Sequence, residues 1–323
     1  MQLKRFNLHS AHAASPTGIN MRTKYALTDK VVWITGAAGG IGAASAKAIY
    51  DAGACLVLTD LTQTSVDALV AGMDCKRVLA QSLDVTDAYQ TKSVVNCAVA
   101  RFGRLDIAIA NAAISWSGEP ATLISCDEAE FERIVEVDFL GVWRTVKAAL
   151  PEVLRNRGQI VVTSSIYAFI NGMVNAPYAA SKAAVESLGR SLRSELAGTG
   201  ASASVLYPGW TSTPMAKVAF GGHPVATELL NTIMPAPARR PIPPEDVARA
   251  LVEGLACRAP RIIVPPRWRP VSLLRGVLML VTDEYIDRSA AMHRLVRRID
   301  ILSRSVHARA GNEMEKSVEQ STK

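Results

Sequence analysis

The sequence predicts an α/β fold, a doubly wound parallel sheet of seven strands with helices on both faces and a C-terminal helical appendage. From Lys30 onward, short β-branched runs alternate with amphipathic stretches of helical length, as expected of parallel strands joined by crossover helices. The first run ends in a glycine-rich turn that leads directly into a helix. Because no internal repeat or second turn of this kind follows, we expect one main domain.

Seven apolar runs have the length of buried strands, and the stretches between them have helical periodicity. The segment 210–244 is rich in Pro and Gly and too long for an ordinary connector, so it is predicted to be a binding loop. The predicted strands are residues 31–35, 55–59, 78–83, 106–110, 159–163, 202–207 and 261–264. The predicted helices are residues 41–52, 87–102, 127–150, 177–196 and 245–256.

The five cysteines are scattered, with no C-x-x-C pair and no histidine cluster near them. This spacing predicts neither a disulfide framework nor a metal site, and free thiols fit a reducing, cytoplasmic compartment. The first 24 residues contain four basic residues and no acidic one. Because they lack the apolar core of a secretory signal, residues 1–24 are predicted to form a disordered leader.

The net charge of +7 is concentrated near the C-terminus, where residues 258–309 contain eleven arginines and four acidic residues. No aromatic platform is interleaved with these arginines, so a nucleic-acid partner is not expected. Residues 266–323 are predicted to form a basic amphipathic helical extension and a flexible tail. Such helices can touch an anionic membrane peripherally, cover a substrate entrance, dock on a partner subunit, or keep arginines on a solvated face.

The turn after the first predicted strand contains Gly36, Gly40 and Gly42, with Ile41 at the start of the following helix. Glycines there let the backbone turn tightly and approach a pyrophosphate, whose charge meets the free N–H groups at the helix start. A glycine-rich turn alone is weak support for this site, but the flanking strand and helix are typical of a Rossmann-type dinucleotide fold.

Asp60 closes the second predicted strand, where a carboxylate can accept hydrogen bonds from the adenosine ribose diol. This position favours NAD over NADP, since a 2′-phosphate would be repelled by Asp60 and would require a nearby cation. An aspartate at a strand end can also simply begin a loop.

Tyr178 and Lys182 are four residues apart and therefore share one face of a predicted helix. A phenol has an ordinary pKa near 10, so it needs a neighbouring cation to exchange protons near neutrality, and Lys182 can supply that charge. Ser165 follows the strand 159–163, at the sheet edge where α/β folds bind ligands. A solvated Tyr–Lys pair and simple strand capping by serine are the alternatives.

Together these motifs resemble the short-chain dehydrogenase/reductase family over about residues 30–264. Further matches are Asp84-Val85 after the third strand, Asn111-Ala112-Ala113 after the fourth, and Thr213 after Pro208-Gly209. The resemblance implies that Asp84 and Val85 contact adenine, that Asn111 belongs to a motif supporting the sheet and the cofactor site, and that Thr213 lies beside the nicotinamide carboxamide. Residues 25–265 are then the dinucleotide-binding and catalytic domain.

The resemblance also implies catalytic roles. Tyr178 exchanges a proton with the substrate oxygen, Lys182 lowers the Tyr178 pKa and binds the nicotinamide ribose, and Ser165 orients the substrate. Asp138 stands where the family has a helix asparagine that anchors a water molecule in the proton relay. We expect the Asp138 carboxylate to strengthen the Lys182 ammonium and to raise any pKa that depends on it.

The expected reaction is NAD-dependent interconversion of a secondary alcohol and a ketone, catalysed by a homodimer or homotetramer that the resemblance implies. Apolar residues of segment 210–244 favour a lipophilic substrate such as a steroid, terpenoid or fatty alcohol. The alternatives are an NADPH-dependent 3-oxoacyl-type reductase, disfavoured by Asp60, and a non-catalytic NAD-binding module, disfavoured by the intact Ser165, Tyr178 and Lys182.

Overall fold

The structure is a computed structural model that describes residues 24–117, 120–216 and 223–303. Except for Lys24, the predicted leader lies outside the described residues, as do residues 304–323 of the predicted extension.

The described chain contains one sheet of seven parallel strands in the order β3-β2-β1-β4-β5-β6-β7, so the predicted fold class is confirmed. The order reverses direction next to β1, which creates a crevice at the carboxyl ends of β1 and β4. The strands are β1 Val31–Thr35, β2 Cys55–Asp60, β3 Val78–Ser82, β4 Ile107–Ala110, β5 Gln159–Thr163, β6 Ser202–Pro208 and β7 Arg261–Val264.

Successive strand residues point to opposite faces of the sheet, and each face carries its own buried core. In β1, Val32 and Ile34 pack in one core, whereas Val31 and Trp33 pack in the other. Helices cover both faces, which explains why the central strands β1, β4 and β5 are buried along their whole length. The helices flanking the strands are α1 Gly40–Asp51, α2 Gln63–Val70, α3 Ala88–Phe102, α4 Glu128–Val135, α5 Val142–Arg155, α6 Ala176–Glu195 and, after three short helices (α7 Pro214–Ala216, α8 Pro224–Ile233 and α9 Ala236–Arg239), α10 Pro244–Cys257.

Three predictions about helices were wrong in detail. The helix predicted over 127–150 is interrupted by a π-helical turn, Glu136–Gly141, between α4 and α5. Helix α2 was not predicted because its eight residues bury only Val66, so its apolar periodicity is weak. Segment 210–244 is not a plain loop, since it contains the short helices α7 Pro214–Ala216, α8 Pro224–Ile233 and α9 Ala236–Arg239.

The chain after β7 continues as helix α11, Arg269–Arg288, and a further helix, α12, over residues 290–303. Trp268 is buried just before α11, and Arg275 forms an ion pair with Glu186 of α6 at 2.7 Å. Helix α12 buries apolar side chains, among them Met292, in a cluster with Leu229 of α8. Among the described helices, none is both long and apolar enough to cross a membrane.

Asp106, just before β4, is fully buried and ties the starts of β1 and β4 together. Its carboxylate accepts hydrogen bonds from the Val31 amide at 3.0 Å and from the Arg104 guanidinium at 2.6 and 2.8 Å. The Lys30 ammonium lies 3.7 Å away. A buried carboxylate is tolerated only when it is paired in this way.

We expect Asp106→Ala to lower the free energy of unfolding by about 3 kcal/mol, because the Val31 amide stays buried without an acceptor and two cations lose their counter-charge. Urea unfolding followed by circular dichroism measures this change. Asp51→Ala is the control, since the pair of Asp51 with Lys47 is solvent-exposed and worth less than about 1 kcal/mol. Equal losses in the two variants would contradict the structural role of Asp106.

Candidate active site

A cavity of about 900 Å³ lies along the carboxyl ends of the strands. Residues at or just after the ends of β1 to β6 line it, as expected for ligand sites in open α/β sheets. Every predicted site residue except Asp138 lines this cavity, and Asp138 lies directly behind it against Lys182. The fold therefore brings together residues that are up to 177 positions apart in the chain, Gly36 and Thr213.

The glycine-rich turn forms one end of the cavity, and two of its glycines are required by close backbone contacts. Gly36 has a φ of +62°, and a Cβ atom there would lie 2.7 Å from the Ala112 backbone. A Cβ atom on Gly42 would lie 2.1 Å from the Gly36 carbonyl oxygen. Helix α1 begins here with no side-chain cap and no acidic residue in its first turn. Its free amide groups could therefore hold a pyrophosphate.

Asp60 is positioned by the same turn. Its carboxylate accepts hydrogen bonds from the amide of Ala38 at 2.9 Å and from the amide of Leu61 at 2.8 Å. The segment that follows Asp60 contributes Leu61 and Ser65 to the cavity lining, and neither of these residues is a cation. This arrangement could bind a ribose diol and offers no partner for a 2′-phosphate on that segment.

The other predicted cofactor contacts lie along the same cavity. Asn111 is fixed beside the turn, since its backbone amide donates to the Thr35 hydroxyl at 3.0 Å and its side-chain amide donates to the Thr35 and Gly36 carbonyls at 3.2 Å. Thr213 closes over Gly40, where an added Cβ atom would lie 2.7 Å from the Thr213 methyl group. The remaining predicted contacts in the lining are Ile41, Asp84 and Val85.

Tyr178 and Lys182 lie on α6 at the centre of the cavity wall. The Lys182 ammonium is 5.2 Å from the centre of the Tyr178 ring, and only 1% of the lysine is exposed. The same ammonium lies 3.4 Å from the carbonyl oxygen of Thr163, the last residue of β5. Ser165, which follows β5, lines the cavity beside Tyr178, and hydrogen bonding by its side chain lowers the pKa of the Tyr178 hydroxyl. The end of β5 and the start of α6 therefore build one polar cluster.

Asp138 provides the counter-charge for Lys182. Its Oδ2 atom lies 3.2 Å from the lysine Nζ, and its Oδ1 atom accepts a hydrogen bond from the Ile114 amide at 2.7 Å. Both side chains are almost completely buried. Asp138 lies in the π-helical turn, a local distortion that recurs at functional sites and that a straight helix pattern in the sequence does not predict.

The electrostatic effects on Tyr178 oppose one another. Burial raises the pKa of Tyr178 above its ordinary value, and the Lys182 charge lowers it. The negative charge of Asp138 raises the Tyr178 pKa further, whereas the hydrogen bond with Ser165 lowers it. Burial also raises the pKa of Asp138, against the opposing effect of Lys182. Lys182 and Ser165 are therefore the groups that favour the phenolate form in this buried site.

Two cavity residues near Tyr178, Tyr167 and Asn175, were not predicted. The Tyr167 ring packs edge-on against Tyr178 with ring centres 5.6 Å apart, and against Trp210 at 5.8 Å. Asn175 is buried and lines the same region. Tyr167 and Asn175 lie close to Ser165 and Tyr178 in the sequence, but no periodicity or spacing marks them. Trp210 was included in the binding segment only for its apolar character.

Segment 210–244 contributes less to the cavity than its composition suggested. Trp210 and Met215 are in the lining, but Leu229 is buried against α12. Leu230 and Met234 pack on the edge of the main core, and residues 217–222 are outside the described chain. The apolar side chains of α8 therefore mainly anchor the C-terminal helices.

Comparison with known proteins decides the family. Residues 30–222 match the short chain dehydrogenase family. The chain is a short-chain dehydrogenase. This places it among oxidoreductases with a Rossmann fold, as the sequence motifs predicted.

Two curated proteins and one solved structure illustrate the likeness of this short-chain dehydrogenase. It is 34% identical over 233 residues to the cis-4-hydroxycyclohexanecarboxylate dehydrogenase of Sinomonas cyclohexanicum, covering 70% of this chain and 89% of that protein. It is 34% identical over 193 residues to a 3-oxoacyl-(acyl-carrier-protein) reductase of Thermotoga maritima, covering 58% and 77%. A short-chain dehydrogenase/reductase of Burkholderia phymatum, solved in complex with NAD, is 25% identical with a TM-score of 0.67, covering 79% and 96%.

Proposed function

We propose that the protein is an NAD-dependent oxidoreductase that interconverts a secondary alcohol and a ketone on a lipophilic substrate. The observation that carries this proposal is the buried cluster of Tyr178, Lys182 and Ser165, in one cavity with an uncapped, glycine-lined helix start. The cluster offers proton exchange at one point, and the helix start offers an anion site. An oxidoreductase acting through a dinucleotide requires both.

The residues along the cavity fit a nicotinamide dinucleotide. Gly36, Gly40, Ile41 and Gly42 would hold its pyrophosphate, and Asp60 its adenosine ribose. The adenine would lie by Asp84 and Val85, and the nicotinamide half would be held by residues including Asn111, Lys182 and Thr213. When bound, this cofactor supplies the acceptor or donor of the hydride.

The protein's own residues would handle the proton. In alcohol oxidation, Tyr178 Oη accepts the hydroxyl proton, and in ketone reduction it returns a proton to the carbonyl oxygen. Ser165 donates a hydrogen bond to the same substrate oxygen and holds it beside the phenol. Lys182 stabilises the phenolate by its charge. Asp138 neutralises the buried Lys182 ammonium charge and thereby limits how far that charge lowers the Tyr178 pKa.

The cavity wall around Tyr178 supports a largely apolar substrate with few polar groups. Its apolar members come from the ends of β4, β5 and β6, and polar groups there include the Ser115 hydroxyl and the Asn175 amide. A relative acts on a hydroxylated cyclohexane ring, as its name states. An alicyclic secondary alcohol would fit these walls. The apolar lining residues in this region are Ile114, Ile166, Tyr167, Trp210, Met215 and Ala216.

A second candidate function is an NADPH-dependent reductase of acyl ketones, and the name of the 3-oxoacyl reductase relative supports the acyl-ketone substrate. Asp60 opposes this candidate, because its charge would face the 2′-phosphate with no cation on the adjoining segment. A non-catalytic NAD-binding protein is opposed by the complete Ser165, Tyr178 and Lys182 cluster.

We also propose the division of the chain into a leader (1–24), a catalytic domain (25–265) and an extension (266–323), and a homo-oligomeric enzyme in the cytoplasm. The family likeness supports the oligomer, and five free cysteines support a reducing compartment.

With NAD⁺ and a panel of secondary alcohols, we expect the wild-type protein to turn over alicyclic alcohols fastest. In Tyr178→Phe we expect turnover to fall at least about 100-fold, because the proton acceptor is lost. Absorbance of the reduced nicotinamide at steady state measures this. Tyr89→Phe is the control, since Tyr89 on α3 is 89% exposed. Full turnover by Tyr178→Phe would disprove the assigned proton step.

Asp138→Asn should move the pH profile of alcohol oxidation to lower pH. Oxidation needs the Tyr178 phenolate, so the rate rises as pH passes the Tyr178 pKa, and Asp138 raises that pKa. Removing its charge therefore lowers the pKa and the pH at which activity appears. Profiles of kcat/KM for wild type, Asp138→Asn and the exposed control Asp51→Asn measure the shift. Superimposable profiles for the first two would rule out an electrostatic role.

Asp60→Asn should reduce the preference for NAD over NADP. The single side-chain oxygen of asparagine can still accept the hydrogen bond from the Ala38 amide, whereas the bond from the Leu61 amide, which goes to the second carboxylate oxygen, is lost. A charged hydrogen bond to the ribose, worth about 1.5–3 kcal/mol, becomes a neutral one. We expect kcat/KM for NAD to fall by roughly tenfold, that for NADP to rise, and kcat to stay nearly constant. Asp67→Asn on α2 is the matched control. An unchanged cofactor ratio would refute the role of Asp60.

A further inference from the structure

The middle of helix α11 exposes an unusual amount of apolar surface. Within the described chain, five aliphatic side chains on α11 are between 57% and 73% exposed. Apolar residues scattered singly on a surface need no explanation, but a contiguous group of this size marks an interaction site. We call this group the α11 strip; it consists of Leu273, Leu274, Val277, Leu280 and Val281.

The α11 strip lies on the side of the helix that faces away from the protein. Ser272 is the buried residue of α11, and Arg275 binds Glu186 of α6, so these two positions define the side facing the body. Residues 273, 277 and 280 follow at intervals of four and three, the spacing of an apolar seam between two packed helices. The strip is therefore suited to pairing with another helix.

The charges along α11 are unevenly distributed. The helix starts beside Arg267 and Arg269 with no acidic residue in its first turn, and its C-terminal half contains Asp283, Glu284 and Asp287, with Arg288 as the basic residue of the last turn. Because a helix is stabilised by acidic residues at its start, the basic start is unfavourable within one chain. Arg288 pairs with Glu284, and Asp287, one turn further on, lies at the C-terminal end of the strip, where an opposite charge from another helix can reach it.

We propose that the α11 strips of two copies of this chain pack together as an antiparallel helix pair, with the two-fold axis at Val277. Antiparallel pairing around residue 277 sets Leu273 opposite the partner's Val281 and Leu274 opposite the partner's Leu280. It also brings the basic start of each helix to the acidic end of the other, with Arg267 opposite the partner's Asp287. The pairing thus buries the apolar strip and neutralises the unfavourable end charges together.

This surface lies outside the part of the chain that matches the family, which ends at residue 222. An anionic membrane is the less favoured occupant, because Glu284 and Asp287 lie at the C-terminal end of the strip and would be repelled by it. A second copy satisfies both ends of the helix with opposite charges.

Cysteine cross-linking of the full-length protein tests the geometry. Under mild oxidation, V277C should form a disulfide-linked dimer, because two copies of residue 277 face each other at the axis. L273C alone should form no more than wild type, since its copies are separated by several residues along the pair, and L273C/V281C should cross-link. Wild type controls for the native cysteines, of which Cys75, Cys97 and Cys257 are exposed. Equal cross-linking by V277C and L273C, or none by V277C, would overturn the proposal.

Sizing by light scattering tests the energetics. Val277→Asp should halve the particle mass at low micromolar concentration while leaving the circular dichroism spectrum unchanged, because Val277 is exposed. R267E should weaken pairing, and R267E/D287R should restore it. Co-sedimentation with phosphatidylglycerol vesicles examines the other occupant. If Val277→Asp abolishes vesicle binding without changing the mass, a membrane rather than a second copy covers the strip, and the proposal fails.

Discussion

Lys182 carries its ammonium group in the interior of the protein, and the Asp138 carboxylate lies 3.2 Å away. Removing either charge from water costs several kcal/mol, so each group requires the other. The requirement fixes the position of three elements. Asp138 is presented by the π-helical turn between α4 and α5, Lys182 by α6, and the ammonium is also held by the end of β5.

The polar cluster around this pair determines what the cavity can do. Lys182 lowers the pKa of Tyr178, and the negative charge of Asp138 raises it. The pKa of a buried phenol is therefore higher beside a lysine paired with a carboxylate than beside an unpaired lysine. Asparagine is the family's residue at the position of Asp138, according to the motif resemblance. The charge at this position is therefore a feature of this protein rather than of the fold, and it bears on the acidity of Tyr178 more than on the shape of the site.

The C-terminal helices show how a shared fold acquires its own surface. Helix α12 is anchored by apolar contacts with α8, whereas the centre of α11 stands clear of the body. Segment 210–244 is thus a support for the extension as well as a wall of the cavity. Residues predicted for substrate binding from their apolar character, such as Leu229, have a packing role instead, because apolar side chains look alike in sequence whether they face a ligand or another helix.

The sequence alone determined the class of the fold, the seven strands to within one residue at either end, and the residues expected in the site. These follow from local signals, namely periodicity, glycine placement and the spacing of Tyr178 and Lys182. Only the tertiary structure decided that the helix over 127–150 breaks into a π turn, that Asp138 reaches Lys182, and that Tyr167 packs on Tyr178. These depend on contacts between residues distant in the chain, and the geometry of such contacts is set by packing of the whole domain, which no local pattern records.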